Sequence, residues 1–118
     1  MKIILVDDEK KFINMLAKRL AMRGISVDAV FSGDEAIKKI TSTAYDVAVL
    51  DIKMPGISGL ELKWKLSAID PDLKFIFVTG HGAANKVDKK IIEKDYYFSK
   101  PLDIEILIKR LNEITSSG

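Results

Sequence analysis

Cysteine is absent from this chain of 118 residues. That excludes disulfides, a thiolate nucleophile and any thiolate-bound zinc or iron–sulfur centre. His81 is the single histidine, so a multi-histidine metal site and a Cys–His dyad are excluded as well. Long apolar runs are also missing. None exceeds about half a dozen residues, far below the ~20 needed to span a bilayer. Lys2 followed by Ile3-Ile4-Leu5-Val6 is too short for the core of a signal peptide. A soluble, cytoplasmic protein without a membrane partner is therefore expected. A dominant charge is lacking too. Nineteen basic residues stand against 17 acidic ones, and the net charge of +2 does not by itself imply binding to nucleic acid. Internal repeats and low-complexity stretches are absent.

What is present is an ordinary globular composition. The apolar fraction of 47% excludes a disordered chain. The length allows one domain, residues 1–118, with a core that needs no covalent staple. Thr115-Ser116-Ser117-Gly118 reads as a frayed tail or the start of a linker.

Short apolar runs at Ile3–Val6, Val47–Leu50 and Phe75–Val78 read as buried strands, with weaker strands at Ser26–Phe31 and Tyr96–Phe98. Helical spacing fills the gaps. Phe12, Met15, Leu16 and Leu20 mark a first helix, stopped by Gly24. Ser32 or Gly33 caps a second, through about Ile40, that buries Ala36, Ile37 and Ile40. Leu62, Leu66 and Ile69 mark a third, ended by Asp70-Pro71. Ala84, Val87 and Ile91 mark a weak fourth. Asp103 caps a fifth, with Ile104, Leu107, Ile108, Leu111 and Ile114 on one face. The Met and Phe residues read as core, and Trp64 as helix packing or surface. Repeated β-then-α units predict an α/β, flavodoxin-like doubly wound parallel sheet of five strands, order 2-1-3-4-5, with five helices on both faces. Ligands of such sheets bind at the carboxyl ends of the strands, here between strands 1 and 3.

Each strand end carries a group with definite chemistry. Strand 1 runs into Asp7-Asp8-Glu9, strand 3 into Asp51, strand 4 into Thr79 and strand 5 into Lys100. Adjacent strands lie ~4.8 Å apart, which brings Asp7, Asp8 and Asp51 within several ångströms of one another. At an effective dielectric near 20, each such carboxylate pair repels by roughly 3 kcal/mol. Lys100 alone cannot balance three anions. A hard divalent cation can, and Mg²⁺ fits best because it is held by one or two carboxylates together with waters and a phosphate. Asp51 can act as a nucleophile on a phosphoryl group. Lys100 and the metal would neutralise the transferring oxygens, and Thr79 would donate a hydrogen bond. The product is an aspartyl phosphate. Each residue alone has an unremarkable reading as a turn, a cap or a surface group. Their occurrence at successive strand ends on one edge is what carries the chemistry.

These residues resemble a known family. Val6-Asp7-Asp8-Glu9, the run from Tyr45 through Asp51 to Met54-Pro55-Gly56 with Gly59, Val78-Thr79-Gly80-His81-Gly82, and Tyr97-Phe98-Ser99-Lys100-Pro101 are together similar to the receiver domain of two-component response regulators, the CheY-like fold. The resemblance spans essentially the whole chain. It implies a phosphorylation-dependent switch in phosphorelay signal transduction. Asp51 would accept a phosphoryl group from a phosphohistidine of a sensor histidine kinase. Asp8, Asp51 and the backbone carbonyl of Lys53 would hold Mg²⁺ directly, and Asp7 through a metal-bound water. Lys100 would pair with the phosphate, Thr79 would move to bond it, and Tyr97 would rotate inward as Thr79 shifts. Lys53 and His81 would flank the phosphoryl group, with His81 equally readable as a solvated loop residue. The family's usual cis bond is implied at Lys100-Pro101. The chain would be no enzyme beyond its own phosphorylation and autodephosphorylation. Its output surface would be the fourth helix, fifth strand and fifth helix, with phosphorylation-dependent dimerisation left open. It would contact no nucleic acid directly.

One departure is plain. Residues 83–95 are short and polar for a fourth helix, and Glu93-Lys94 replaces the small pair usual before the fifth strand. A helix that is short or partly unwound without phosphate is expected there. Three alternatives compete. A flavin-binding electron carrier needs a phosphate cradle after strand 1, where Asp7-Asp8-Glu9 would repel the flavin phosphate. A phosphatase of the haloacid dehalogenase type needs a second acid at the place of Lys53. A degenerate receiver acting only as a binding module would lack reactive residues that are all present here. The chain is then either a complete single-domain regulator or a receiver cut from a longer protein.

Overall fold

The computed structural model describes residues 1–79, 96–99 and 103–116; at 79, 96, 97 and 99 the description is of the backbone. The strands are β1 (Lys2–Val6), β2 (Ser26–Val30), β3 (Val47–Asp51), β4 (Lys74–Thr79) and β5 (Tyr96–Ser99). They form one sheet in the order β2-β1-β3-β4-β5, and every pair is parallel. The described helices are α1 (Lys10–Ala21), α2 (Gly33–Ser42), α3 (Gly59–Ile69) and α4 (Ile104–Ser116). The expected helix around Ala84, Val87 and Ile91 lies outside the described residues, as does the Lys100-Pro101 bond.

β1, β3 and β4 carry uninterrupted apolar runs, Ile3–Val6, Val47–Leu50 and Phe75–Val78, because both faces of the sheet are covered there, whereas the edge strand β2 carries Ser26 and Asp28. Successive side chains alternate between the faces. Ile4, Val6, Ala48, Leu50, Phe75 and Phe77 pack beneath α2 and α3, against Ala36, Ile40, Leu62 and Leu66. Ile3, Leu5, Val47, Val49, Ile76 and Val78 pack beneath α1 and α4, against Ile13, Leu16, Leu20, Leu107 and Leu111.

Local chemistry sets the helix ends. Ser32 Oγ accepts the Glu35 N–H at 3.2 Å and Ser58 Oγ accepts the Glu61 N–H at 3.2 Å, two Ser-x-x-Glu starts. Asp103 Oδ1 accepts the Glu105 N–H at 2.9 Å. Helix α1 differs: Glu9 makes no side-chain capping bond, and the first turn holds no acid. Gly24, at φ +80, ends α1 in the left-handed conformation that favours glycine. Exposed Arg23 pairs with exposed Glu105, linking α1 to the start of α4.

The methionines depart from expectation. Met15 is 44% exposed and Met22 84% exposed, and Met1 is exposed as well. The buried stripe of α1 runs through Ile13, Leu16 and Leu20, with Phe12 at its margin. Met15 sits one residue, or 100°, off Leu16 and therefore faces outward. Met54 is partly buried against the core. Among the phenylalanines, Phe75 and Phe77 are core, whereas Phe12, Phe31 and Phe98 are only partly buried. Ile69, at the end of α3, is exposed, and Trp64 is a surface residue at 62% exposure.

Candidate functional site

The alternation that builds the core also places the charges. Ile3 and Leu5 face α1 and α4, and two residues further on the same face comes Asp7. Val47 and Val49 face that side too, and the next position in step is Asp51. The register pairs Val6 with Leu50, so Asp7 and Asp51 emerge side by side at the carboxyl ends of β1 and β3. Asp7 is 3% exposed and Asp51 5% exposed, whereas Asp8 is exposed.

The three carboxylates converge. One oxygen from each of Asp7, Asp8 and Asp51 lies within 4.8 Å of the others. At that separation each like-charge pair costs about 3 kcal/mol for a dielectric near 20. The floor of the site is apolar. Phe12, Ile13, Leu16, Val49 and Val78 line a hollow of about 10 Å³ below Asp7 and Asp51, room for about one water. A hard cation with oxygen preference suits such a donor set, since carboxylates are the ligands Mg²⁺ takes. The residues present therefore fit the metal that their chemistry implies.

Backbone groups orient the acids. Asp7 Oδ1 accepts the Glu9 N–H at 2.9 Å, and its own N–H donates to the Val30 carbonyl at 3.2 Å. Asp51 Oδ1 accepts the Lys53 N–H at 3.3 Å. Asp51 lies opposite Val78, and the Ile52 N–H donates to the Val78 carbonyl at 3.0 Å, which carries the ladder one residue past Asp51. Lys53 is exposed, next to the site.

The other expected site residues are placed to different degrees. Thr79 ends β4 and pairs in register with Ser99 of β5, while Tyr97 pairs with Phe77. Thr79 is thus on the strand adjoining β3, and Tyr97 is on the edge strand one further out. Their side chains, and the whole of His81 and Lys100, lie outside the described residues. One participant was not read from the sequence as part of the site's geometry. Gly59, the first residue of α3, sits against the backbone of Asp51: an added Cβ would stand 2.3 Å from the Asp51 carbonyl oxygen. Its signal was available, for a glycine at a helical position is a poor choice unless something nearby needs the space.

The response regulator receiver domain is the family whose pattern matches, over residues 3–112. The chain is 35% identical over 115 residues to the transcriptional regulatory protein TctD of Salmonella typhimurium, covering 97% of this chain and 51% of that one. It is 35% identical over 121 residues to the two-component response regulator PhoP of Pseudomonas aeruginosa, covering 100% of this chain and 54% of the other. It thus spans about half the length of these relatives. Among solved structures, a response regulator receiver domain protein from Clostridium thermocellum superimposes with a TM-score of 0.88 at 27% identity, over 98% of this chain and 94% of that one. The response regulator TrrA of Thermotoga maritima, solved with Mg²⁺ and BeF, gives a TM-score of 0.83 at 31% identity, over 96% of this chain and 97% of that one. The pattern match runs almost end to end, and it agrees with a parallel sheet whose β1 and β3 end in converging carboxylates; this chain belongs to the response regulator receiver domain family.

Proposed function

We propose that this domain is a phosphorylation switch in two-component signalling, with Asp51 as the phosphoacceptor. The convergence of Asp7, Asp8 and Asp51 at one sheet edge carries this reading. An Asp51 carboxylate oxygen attacks the phosphorus of a phosphohistidine on a sensor histidine kinase. The new O–P bond forms as the P–N bond breaks, and the imidazole leaves with the electron pair. Asp8, Asp51 and the Lys53 carbonyl would hold Mg²⁺, with Asp7 acting through a water, and the ion would supply neutralising charge at this site. Asp7 and Asp51 are buried, so their electrostatic effect is larger than it would be in water. The Asp51–Lys53 backbone bond holds the attacking carboxylate before the donor arrives.

Lys100 pairs with the transferred phosphoryl group and Thr79 donates a hydrogen bond to it. Nearly two added negative charges are enough to bias a two-state loop. Tyr97 follows Thr79 inward, and the changed surface comprises the helix expected within residues 83–95, β5 and α4, where a dimer could form. Lys53 and His81 set how quickly water removes the group. No external substrate is turned over. The output belongs to whatever this domain is joined to or meets, as in the transcriptional regulatory protein TctD that it resembles. Among the described residues no helix is long and apolar enough to cross a membrane, and the domain acts in the cytoplasm.

The test is direct. Acetyl phosphate with Mg²⁺ should label the wild type on Asp51, and a beryllofluoride mimic should occupy the same place. Asp51→Asn should abolish the label. Undiminished labelling in Asp51→Asn, or neither effect in folded wild type, overturns the proposal.

A further inference from the structure

The loop between β3 and α3 is flanked by two glycines that are there for space, not for backbone conformation. Gly33 opens α2 and Gly59 opens α3. Neither has a positive φ; among the described residues that belongs to Gly24 and Gly56. Alanine is the better helix former at both positions. The reason for glycine is therefore non-local.

At Gly59 the neighbour is the phosphoacceptor's own backbone. A Cβ there would stand 2.3 Å from the Asp51 carbonyl oxygen, 2.9 Å from Ile52 Cα and 3.0 Å from the Asp51 carbonyl carbon. No rotamer change relieves a clash between Cβ and backbone. The Gly59 N–H also donates to the Ile52 carbonyl at 2.9 Å, so the first residue of α3 is both in contact with and bonded to the segment that carries Asp51. Gly33 is different: its added Cβ would meet Ile57 Cγ2 at 2.3 Å, a side-chain atom.

We propose that Gly59 is a positioning residue for phosphorylation: it lets the start of α3 seat directly on the backbone of Asp51 and Ile52, which fixes the Asp51 carboxylate relative to Asp7 and Asp8. The inference rests on the reading of Asp51 as phosphoacceptor. Backbone displacement at Asp51 is passed on to a carboxylate only a short side chain away. Mg²⁺ demands near-ideal octahedral geometry at 2.0–2.1 Å, so the metal site has little tolerance for such a shift. A misplacement of about 1 Å is enough to slow a positioned reaction by about 100-fold. Gly33 acts on the same loop only through Ile57, and there the conflict can be removed by shortening one side chain.

The experiment compares labelling by acetyl phosphate, Mg²⁺ affinity by calorimetry and thermal stability. The variants are Gly59→Ala, Gly33→Ala, the double variant Gly33→Ala with Ile57→Ala, and Leu73→Ala. Leu73 is a buried core residue on the α2/α3 face, remote in role from the site, and controls for lost stability. Gly59→Ala should slow labelling about 100-fold and weaken Mg²⁺ binding about tenfold. Leu73→Ala, assayed below its melting temperature, should keep both within about twofold. Gly33→Ala should have a smaller effect, restored by Ile57→Ala. Labelling of folded Gly59→Ala at the wild-type rate overturns the proposal, as does an equal loss of Mg²⁺ affinity in Leu73→Ala. If Gly59→Ala does not fold, hydrogen exchange in the wild type decides. Beryllofluoride with Mg²⁺ should change protection at the amides of residues 59–62, and unchanged protection there overturns the idea. Wild type that neither takes label nor binds beryllofluoride overturns the phosphoacceptor reading and this inference together. Labelled wild type with an unaffected Gly59→Ala overturns this inference alone.

Discussion

The two faces of the sheet are built from the same strands and end differently. Under α2 and α3 the buried layer includes Tyr45, Phe75 and Phe77, and it closes over the strand ends with apolar Ile52. Under α1 and α4 the buried residues are aliphatic, and the rows of β1 and β3 finish in Asp7 and Asp51. One face uses its whole length for burial. The other gives up its last row to charge in a place that water reaches poorly. Stability and chemistry are thereby divided between faces, while both depend on one pattern of alternation.

Four perturbations test that division. The largest effect belongs to the apolar face. Phe77 is fully buried, and Phe77→Ala should cost about 3–5 kcal/mol by urea unfolding. The loss should be the same with and without Mg²⁺. A loss that varied with the metal would mean that the faces are coupled.

The second acts on the charged face. Mg²⁺ at 100 times its dissociation constant should stabilise the wild type by about 2.7 kcal/mol. The gain should vanish in Asp51→Asn, whose stability in chelator should exceed that of the wild type because one repelling carboxylate has gone. A melting temperature in Asp51→Asn that still rose with Mg²⁺ would remove Asp51 from the metal site.

The third sharpens the comparison at Tyr45, a titrating group buried on the apolar face. Burial, helped by its hydrogen bond to Asp28 Oδ2 at 2.5 Å, pushes the Tyr45 hydroxyl up to about 12. The folded state then keeps a proton that the unfolded chain releases near pH 10. The contribution is complete below pH 10 and is lost as the pH rises through about 12. Stability should fall over that window in the wild type, and less so in Tyr45→Phe. Equal slopes in the two proteins would argue against it.

The smallest effect tests a helix start away from both layers. Ser32→Ala removes the cap of α2 and should cost about 1 kcal/mol in thermal unfolding, with no change in labelling. Altered labelling would tie α2 to the site more tightly than the Gly33–Ile57 contact implies.

Much of this was legible in the sequence, for physical reasons that differ by element. β1, β3 and β4 are readable because burial on both faces forces uninterrupted apolar runs, and no boundary differs from the expected one by more than a residue. Asp7, Asp8 and Asp51 were readable as a cluster because strand order brings β1 and β3 together. Met15 misled because it falls within an apolar sequence pattern yet lies just outside the buried stripe, and a flexible thioether is tolerated at the surface. The spatial roles of Gly59 and Gly33, and the Tyr45–Asp28 bond, depend on partners brought near by folding. No local pattern names those partners. Thr79 and Tyr97 were assigned roles through their side chains, of which the strand register gives only the position.

The pairing of Val6 with Leu50 has one last consequence. A slip of either strand by a single residue would turn its carboxylate toward α2 and α3 and send its apolar row to the wrong side. A molecule cannot keep its core and lose its acidic centre by misregistering. Quality control of folding and quality control of signalling are then the same inspection, and a molecule that passes as native arrives with its acidic centre already assembled.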